Sequence, residues 1–292
     1  MKIAKDMYLS IGLASILSVG LTAGCSNVNP IAVEKADTSA QVPSQSQATG
    51  QSKVTSPAEA NNSATSNVNA APPLQSGFRF SDDENFDIAN KNKLAHRIFY
   101  AQPSTGADAK WFDAVKRGDL PTVKYMVENG QDIEAKDTGS LGQTALGWAA
   151  FIGYEDMVDY LIAQGADLYA TDRGDVYNVM KSAVLGKNTN IVKKVHRLLN
   201  ADKPVDLNDQ TIESDGETLI MVAASNNRLE TVKYLLAQGA DPNLVATTQN
   251  KSMGSYNQSA YSYACTRGHV EMQKLLAANG AINHRTGKAS CE

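Results

Sequence analysis

A five-residue line recurs down the C-terminal two-thirds of the chain and constrains the fold more than any other feature. Ala163-Gln164-Gly165-Ala166-Asp167 returns as Ala237-Gln238-Gly239-Ala240-Asp241, and more loosely as Ala277-Ala278-Asn279-Gly280-Ala281. Val127-Glu128-Asn129-Gly130-Gln131-Asp132 stands upstream, so the glycines at 130, 165, 239 and 280 are 35, 74 and 41 residues apart. A period in the mid-thirties with one gap near double that value means helical units stacked side by side. A single unit of this kind cannot bury its apolar face alone. The array therefore folds as one quasi-linear core and offers a long surface to a partner.

A second pattern precedes each glycine line. Its copies are Gln143-Thr144-Ala145-Leu146-Gly147-Trp148-Ala149-Ala150-Phe151-Ile152-Gly153, Glu217-Thr218-Leu219-Ile220-Met221-Val222-Ala223-Ala224-Ser225-Asn226-Asn227, and the run from Ser259 to Glu271 that contains Gly268-His269. Thr144 and Thr218 stand where an N-cap hydroxyl would satisfy free amides, and the alanine pairs let neighbouring helices approach closely. Met157, Val158, Tyr160, Leu161 and Ile162 form an apolar stripe at helical spacing, repeated by Val232, Tyr234, Leu235 and Leu236, by Val123, Met126 and Val127, and by Met272, Leu275 and Leu276. Gly165, Gly239 and Gly280 end these second helices, and Asp241-Pro242-Asn243 is a turn signal.

The ordered motifs over about residues 109–284 resemble the ankyrin repeat: a Thr-Pro-Leu-His-like helix start, an Ala-Ala pair, Gly-His, a Leu-Leu helix and Gly-Ala-Asp. Proline is missing from every helix start, and Gly-His is intact only at Gly268-His269. The long gap holds a degenerate unit, with a first helix across 178–186 and a longer second one carrying Ile191, Val192, Val195, Leu198 and Leu199. The expected fold is all-α, an ankyrin-repeat solenoid of about five units at 109–135, 136–170, 171–208, 209–243 and 244–284. The outer two act as caps, and a tail follows at 285–292.

Residues 1–24 read as a secretory leader: Lys2 and Lys5, then an apolar run from Met7 to Leu21 too short and too Gly/Ser-rich for a good membrane span. Leu21-Thr22-Ala23-Gly24-Cys25 resembles the lipobox of bacterial lipoproteins, which implies lipidation at Cys25, a membrane anchor and, with Ser26 following, the periplasmic side of the outer membrane. An ordinary cleaved leader with an incidental cysteine is the other reading. Residues 25–75 are rich in Ser, Asn, Ala and Gln and read as a flexible tether; a coil of about 50 residues spans roughly 40 Å. Aromatics return at 76–108 (Phe78, Phe80, Phe86, Phe99, Tyr100), with a helix-like stretch from Asn85 to Tyr100, so this segment reads as an extension packed on the first unit.

The net charge of −4 becomes −5 once Lys2, Lys5 and Asp6 leave with the leader, which argues against a nucleic-acid partner. Cys265 and Cys291 pair as a disulfide, or Cys265 stays a buried thiol beside a loose tail. His96, His196, His269 and His284 show no metal-ligand spacing, and Asp82-Asp83-Glu84 reads as a helix N-terminal flank. No nucleophile elbow, P-loop or dinucleotide fingerprint occurs, so no catalytic residue, metal or cofactor is expected.

The resemblance implies that the two residues before the first-helix glycine face the concave, partner-binding side. These are Lys116 and Arg117, Phe151 and Ile152, Val184 and Leu185, Ser225 and Asn226, and Thr266 and Arg267. The apolar middle of this row suits an interface core, although Val184 and Leu185 could instead be buried by an irregular third unit. Hairpin tips add Asp137, Thr138, Arg173, Asp175, Asp215 and Glu217, and the polar insertion at 247–258 with Tyr256 adds an individual loop. The expected function is non-enzymatic binding of another protein, as a periplasmic adaptor or stress-protection scaffold. The alternative is an immunity protein that neutralises a toxic effector such as a lipase or peptidoglycan hydrolase.

Overall fold

The computed structural model describes residues 70–292. Cys25, the leader and the tether up to residue 69 lie outside the described residues. A short helix α1 (Asp82–Ile88) precedes five helix pairs: α2 (Ala109–Arg117) with α3 (Leu120–Glu128), α4 (Ala145–Ile152) with α5 (Glu155–Ala163), α6 (Val179–Leu185) with α7 (Thr189–Asp202), α8 (Leu219–Ser225) with α9 (Leu229–Ala237), and α10 (Ala260–Thr266) with α11 (Val270–Ala278). The first helices of successive pairs stack as an inner row, α2 on α4 on α6 on α8 on α10, and α5, α7, α9 and α11 stack as an outer row. The described residues are thus all-helical, with three isolated β-bridges.

The inner helices in the middle of the row are covered on both flanks. Every residue of α4 and of α6 is buried, and Ala149, Ala150, Ala223 and Ala224 are all at 0% exposure, small enough for the next helix to sit close. The Thr144 hydroxyl accepts from the Gly147 amide at 3.2 Å, and Asn178 and Ser259 cap α6 and α10 in the same way. Thr218 departs from this pattern: its hydroxyl is buried without a partner. Outer helices end where the sequence places glycine. At Gly165 φ is +88°, a conformation glycine enters without a side-chain penalty, and Gly239 and Gly280 repeat it.

Residues 74–104 form a two-limbed strap laid over this array. The outgoing limb follows the turns that join inner to outer helices. The Gln75 amide donates to Asp119 at 2.8 Å, so packing begins inside the stretch assigned by composition to the tether. Arg79 makes a two-pronged contact with Asp156, and the Phe80 ring lies 5.0 Å from that of Tyr154. The limb passes so close to Gly118 that a Cβ there would stand 2.9 Å from Arg79 and Tyr154. Helix α1 then starts on a Ser81/Glu84 capping box, so Asp82, Asp83 and Glu84 are its first turn rather than its flank.

The helix-like stretch from Asn85 to Tyr100 is broken. The Asn90 side-chain oxygen accepts from the amides of Asn92 and Lys93 at 2.8 and 3.0 Å, closing a turn that competes with helix continuation. The return limb carries a single 3-10 turn at Ala95–Arg97 and runs back to the start of α2.

This strap overturns the expected apolar binding row. Phe151, Ile152, Val184 and Leu185 are at 0, 1, 0 and 2% exposure and belong to the same core as Ile88, Ala89 and Phe99 of the strap. Phe99 meets Phe151 edge to face at 6.3 Å. Lys116 and Asp137 are also interior, paired at 2.7 Å, with the Lys116 ammonium over the Trp148 ring. Arg117 donates to the Gln75 carbonyl at 2.7 Å and so serves the strap rather than a partner.

The far end of the outgoing limb is held by Arg228, at the turn between α8 and α9. Its guanidinium donates to the carbonyls of Leu185 (3.0 Å), Ile88 (2.9 Å) and Asp87 (3.3 Å), tying the α1 C-terminus to the end of α6. Burial pulls its pKa down to about 10, with Asp87 opposing that shift. Arg228→Ala strands these carbonyls and should cost about 2–4 kcal/mol of unfolding free energy in denaturant titration. Arg228→Lys should recover less than half of that loss, because an ammonium lacks the planar fork. A neutral Arg228→Lys would contradict the fork as anchor.

Candidate functional site

Beyond the turn of the strap, the groove between inner helices and loops stays open. A cavity of about 840 Å³ lies there, bounded by strap residues 86–96, by the loops before α6 and α8, by the C-terminal ends of α8 and α10, and by residues 253–255 of the insertion. Phe86 and Met253 stand at its edge at 54 and 36% exposure. Ser225, Asn226, Thr266 and Arg267 all line it, so the polar end of the expected row does reach an accessible groove. Arg267 is exposed and makes no ion pair among the described residues. Tyr256 is half-buried just after the lining segment.

The wall formed by the loops is electrostatically uneven. Arg97 of the strap, wholly buried, donates to Gln143 at 2.6 Å, Asp172 at 2.9 Å and Asp175 at 2.5 Å. Lys181 of α6 pairs with Glu213 and stands 3.6 Å from Asp175. Five carboxylates (Asp172, Asp175, Glu213, Asp215, Glu217) thus face two cations, and Asp215 and Glu217 have no cationic partner within ion-pair distance among the described residues. The protonation tendencies follow this imbalance. Burial works against ionisation of Asp175, but Lys181 and Arg97 outweigh it and hold the carboxyl below its ordinary value. Burial raises Glu213 despite Lys181, with Asp175 and Asp215 adding to the rise. Glu217 is pushed up to about 7, first by burial and then by Asp215 and Glu213, against the Tyr263 hydroxyl that donates to it and against Lys181.

The insertion that forms the remaining wall is fixed from behind. Cys265 and Cys291 are joined, with an S–S distance of 2.03 Å, which brings the tail back onto α10. His284, at the end of the fifth unit, bonds to Ser259 and Asn257, and Arg285 of the tail donates to the Asn257 carbonyl at 2.6 Å. Thr138 and Arg173 lie away from the groove, where Arg173 donates to the carbonyls of Thr138 and Ser140. A second cavity of about 750 Å³ flanks the other side of α1. Its basic residues are already engaged: Lys187 with Asp87, Lys233 with Glu230, and Lys193 over the Tyr234 ring. The first groove therefore holds the unmet chemistry.

A model of ankyrin repeats (3 copies) matches residues 111–197 and 179–287, well over half of the sequence. The chain belongs to the ankyrin-repeat family. Among its relatives, Ankyrin repeat and KH domain-containing protein mask-1 of Caenorhabditis elegans is 26% identical over 181 residues, 62% of this chain and 6% of that protein. Palmitoyltransferase AKR1 of Lachancea kluyveri is 27% identical over 162 residues, 56% of this chain and 20% of that protein. Protein phosphatase 1 regulatory subunit 27 of Homo sapiens is 45% identical over 65 residues, 22% of this chain and 41% of that protein. In each case the matched stretch is less than half of the relative, and what is shared is the repeat array. Ankyrin repeats are typically non-enzymatic modules that bind other proteins.

Three residues of the groove are legible in the sequence as loop tips, Asp175, Asp215 and Glu217. Arg97, Lys181, Arg228 and Tyr263 are not. The available signal was Arg228 itself: a long cation at a helix start where other units place the capping residues Asp119 and Asn188.

The pKa of Glu217 has a sign that can be checked. A carboxyl that titrates near 7 when folded, above its ordinary 4.5, weakens the fold as pH rises from 4.5 through 7, because the folded state must give up a proton it prefers to keep. Glu217→Gln should therefore raise the melting temperature by about 2–4 °C at pH 8 and leave it unchanged near pH 4.5. Equal melting of both proteins at pH 8 would show that Glu217 is not under strain.

Proposed function

We propose that this chain is a membrane-tethered, non-enzymatic scaffold of the bacterial cell envelope that docks a partner protein in the groove over its fourth and fifth units. One observation carries the reading: the strap fills the groove over the first three units, and past its turn an open cavity with unpaired charge and apolar lips remains. An apolar edge around convergent polar groups suits a protein interface. The lipobox-like run ending at Cys25 supports a lipid anchor at the periplasmic side of the outer membrane, and the Ser/Asn-rich segment behind it supports reach away from the bilayer. In that setting the scaffold acts as an adaptor or in stress protection.

Photo-cross-linking in the source organism tests this. A photoreactive residue at Met253 or Thr266 should give a discrete cross-linked band, and one at Lys124, exposed on α3, should give none. Mass spectrometry of the band names the partner and separates an envelope protein from an incoming toxic effector. Cys25→Ala should move the protein from the membrane to the soluble fraction. No band at either groove position, or equal bands at Lys124, would overturn the assignment of the groove.

A further inference from the structure

The repeat geometry contains an occupied slot whose counterpart two units further on is empty. In the second unit, Gln143 immediately precedes the cap Thr144. Its amide donates at 3.1 Å to Ser182, which stands four residues after the cap Asn178 of the next unit. In the fourth unit, Glu217 immediately precedes Thr218 and accepts from Tyr263, which stands four residues after the cap Ser259 of the unit that follows. The two contacts are therefore the same repeat-to-repeat contact in register. In the first slot the oxygen of Gln143 is taken by the Arg97 guanidinium, which also reaches Asp172 and Asp175. The strap turns back at Asn90–Lys93 and brings no arginine to the second slot.

The carboxylates of the second slot have no ion-pair partner among the described residues. Glu217 replaces the neutral Gln143, and Asp215, two residues before it on the same loop, lines the same cavity. The edge of the same cavity carries apolar Phe86 and Met253, against which an arginine stem could lie. We propose that this slot takes an arginine side chain from an extended segment of the partner protein, held by Glu217 in the register of the Gln143 that holds Arg97, and by Asp215 beside it. The inference rests on the groove being a protein-docking site and adds the residue that the partner presents. Arginine fits better than lysine because two neighbouring carboxylates match a planar fork.

The probe is a random linear peptide library displayed on phage and selected on the full chain at pH 7.5, with Glu217→Gln as the counter-selection. The expected pool is enriched in arginine at one position. Binding of a selected peptide should fall about tenfold or more when that arginine is replaced by citrulline, and equally on Glu217→Gln or Asp215→Asn protein. A selected peptide should also compete with the cross-link at Met253. Melting of both variants no lower than wild type confirms that the fold is intact. Selected peptides without an arginine requirement, peptides indifferent to both variants, or no enrichment over the counter-selection would each overturn the arginine slot. If the slot fails while the Met253 cross-link persists, the docking groove stands with a different partner chemistry. If both fail, the groove assignment falls with it.

Discussion

Large apolar side chains on the open side of a repeat array must be covered, and in this chain that requirement organises everything else. Phe151, Ile152, Val184 and Leu185 lie at the ends of inner helices, where stacking against neighbouring units leaves one side unmet. Residues 74–104 close that side through Ile88, Ala89 and Phe99, which merge with the repeats into one core. Covering a row of this length with a linear segment needs fixed points, because each ordered residue loses conformational freedom. Arg79 and Arg97 of the strap provide two of them, on acceptors of the second and third units, and Arg228 of the fourth unit provides another by donating to the strap carbonyls of Asp87 and Ile88.

The same arrangement divides the groove into two regions of different character. Over the first three units it is an interior, closed by the return limb and neutralised by Arg97 and Lys181. Over the last two it is a cavity where Asp215 and Glu217 have no ion-pair partner among the described residues and one wall is an insertion held by the tail through Cys265–Cys291. A partner that binds there meets a surface that is rigid on its inner-helix side, so less ordering is lost on docking.

The repeat architecture could be read from sequence because its signals are local. Alanine pairs, stripes at helical spacing and terminal glycines each report on one unit, and five helix pairs appear where five units were counted. The binding face could not be read in the same way. Position-by-position transfer puts Phe151 and Val184 outward because it assumes an empty groove, and nothing within a repeat reports that another segment of the chain fills it. Asn90 shows a similar limit. Its neighbours carry helix-like spacing, but its own side chain closes a turn on Asn92 and Lys93 and sends the strap back. The polar end of the transferred row, Ser225, Asn226, Thr266 and Arg267, does line the groove, because the strap turns before it reaches them.

The claim on which the account depends is that the strap is a permanent part of the solenoid core. Native-state hydrogen exchange on the full chain tests it most directly, by comparing the amides of Ala89 and Arg97, bonded to Asn85 and Leu94, with those inside α4. If strap and array form one cooperative unit, the strap amides exchange at the rate of the α4 amides and slow or quicken with them as denaturant is varied. Strap amides that exchange orders of magnitude faster than α4, at a rate indifferent to denaturant, would show a segment resting on a groove that is open along its whole length.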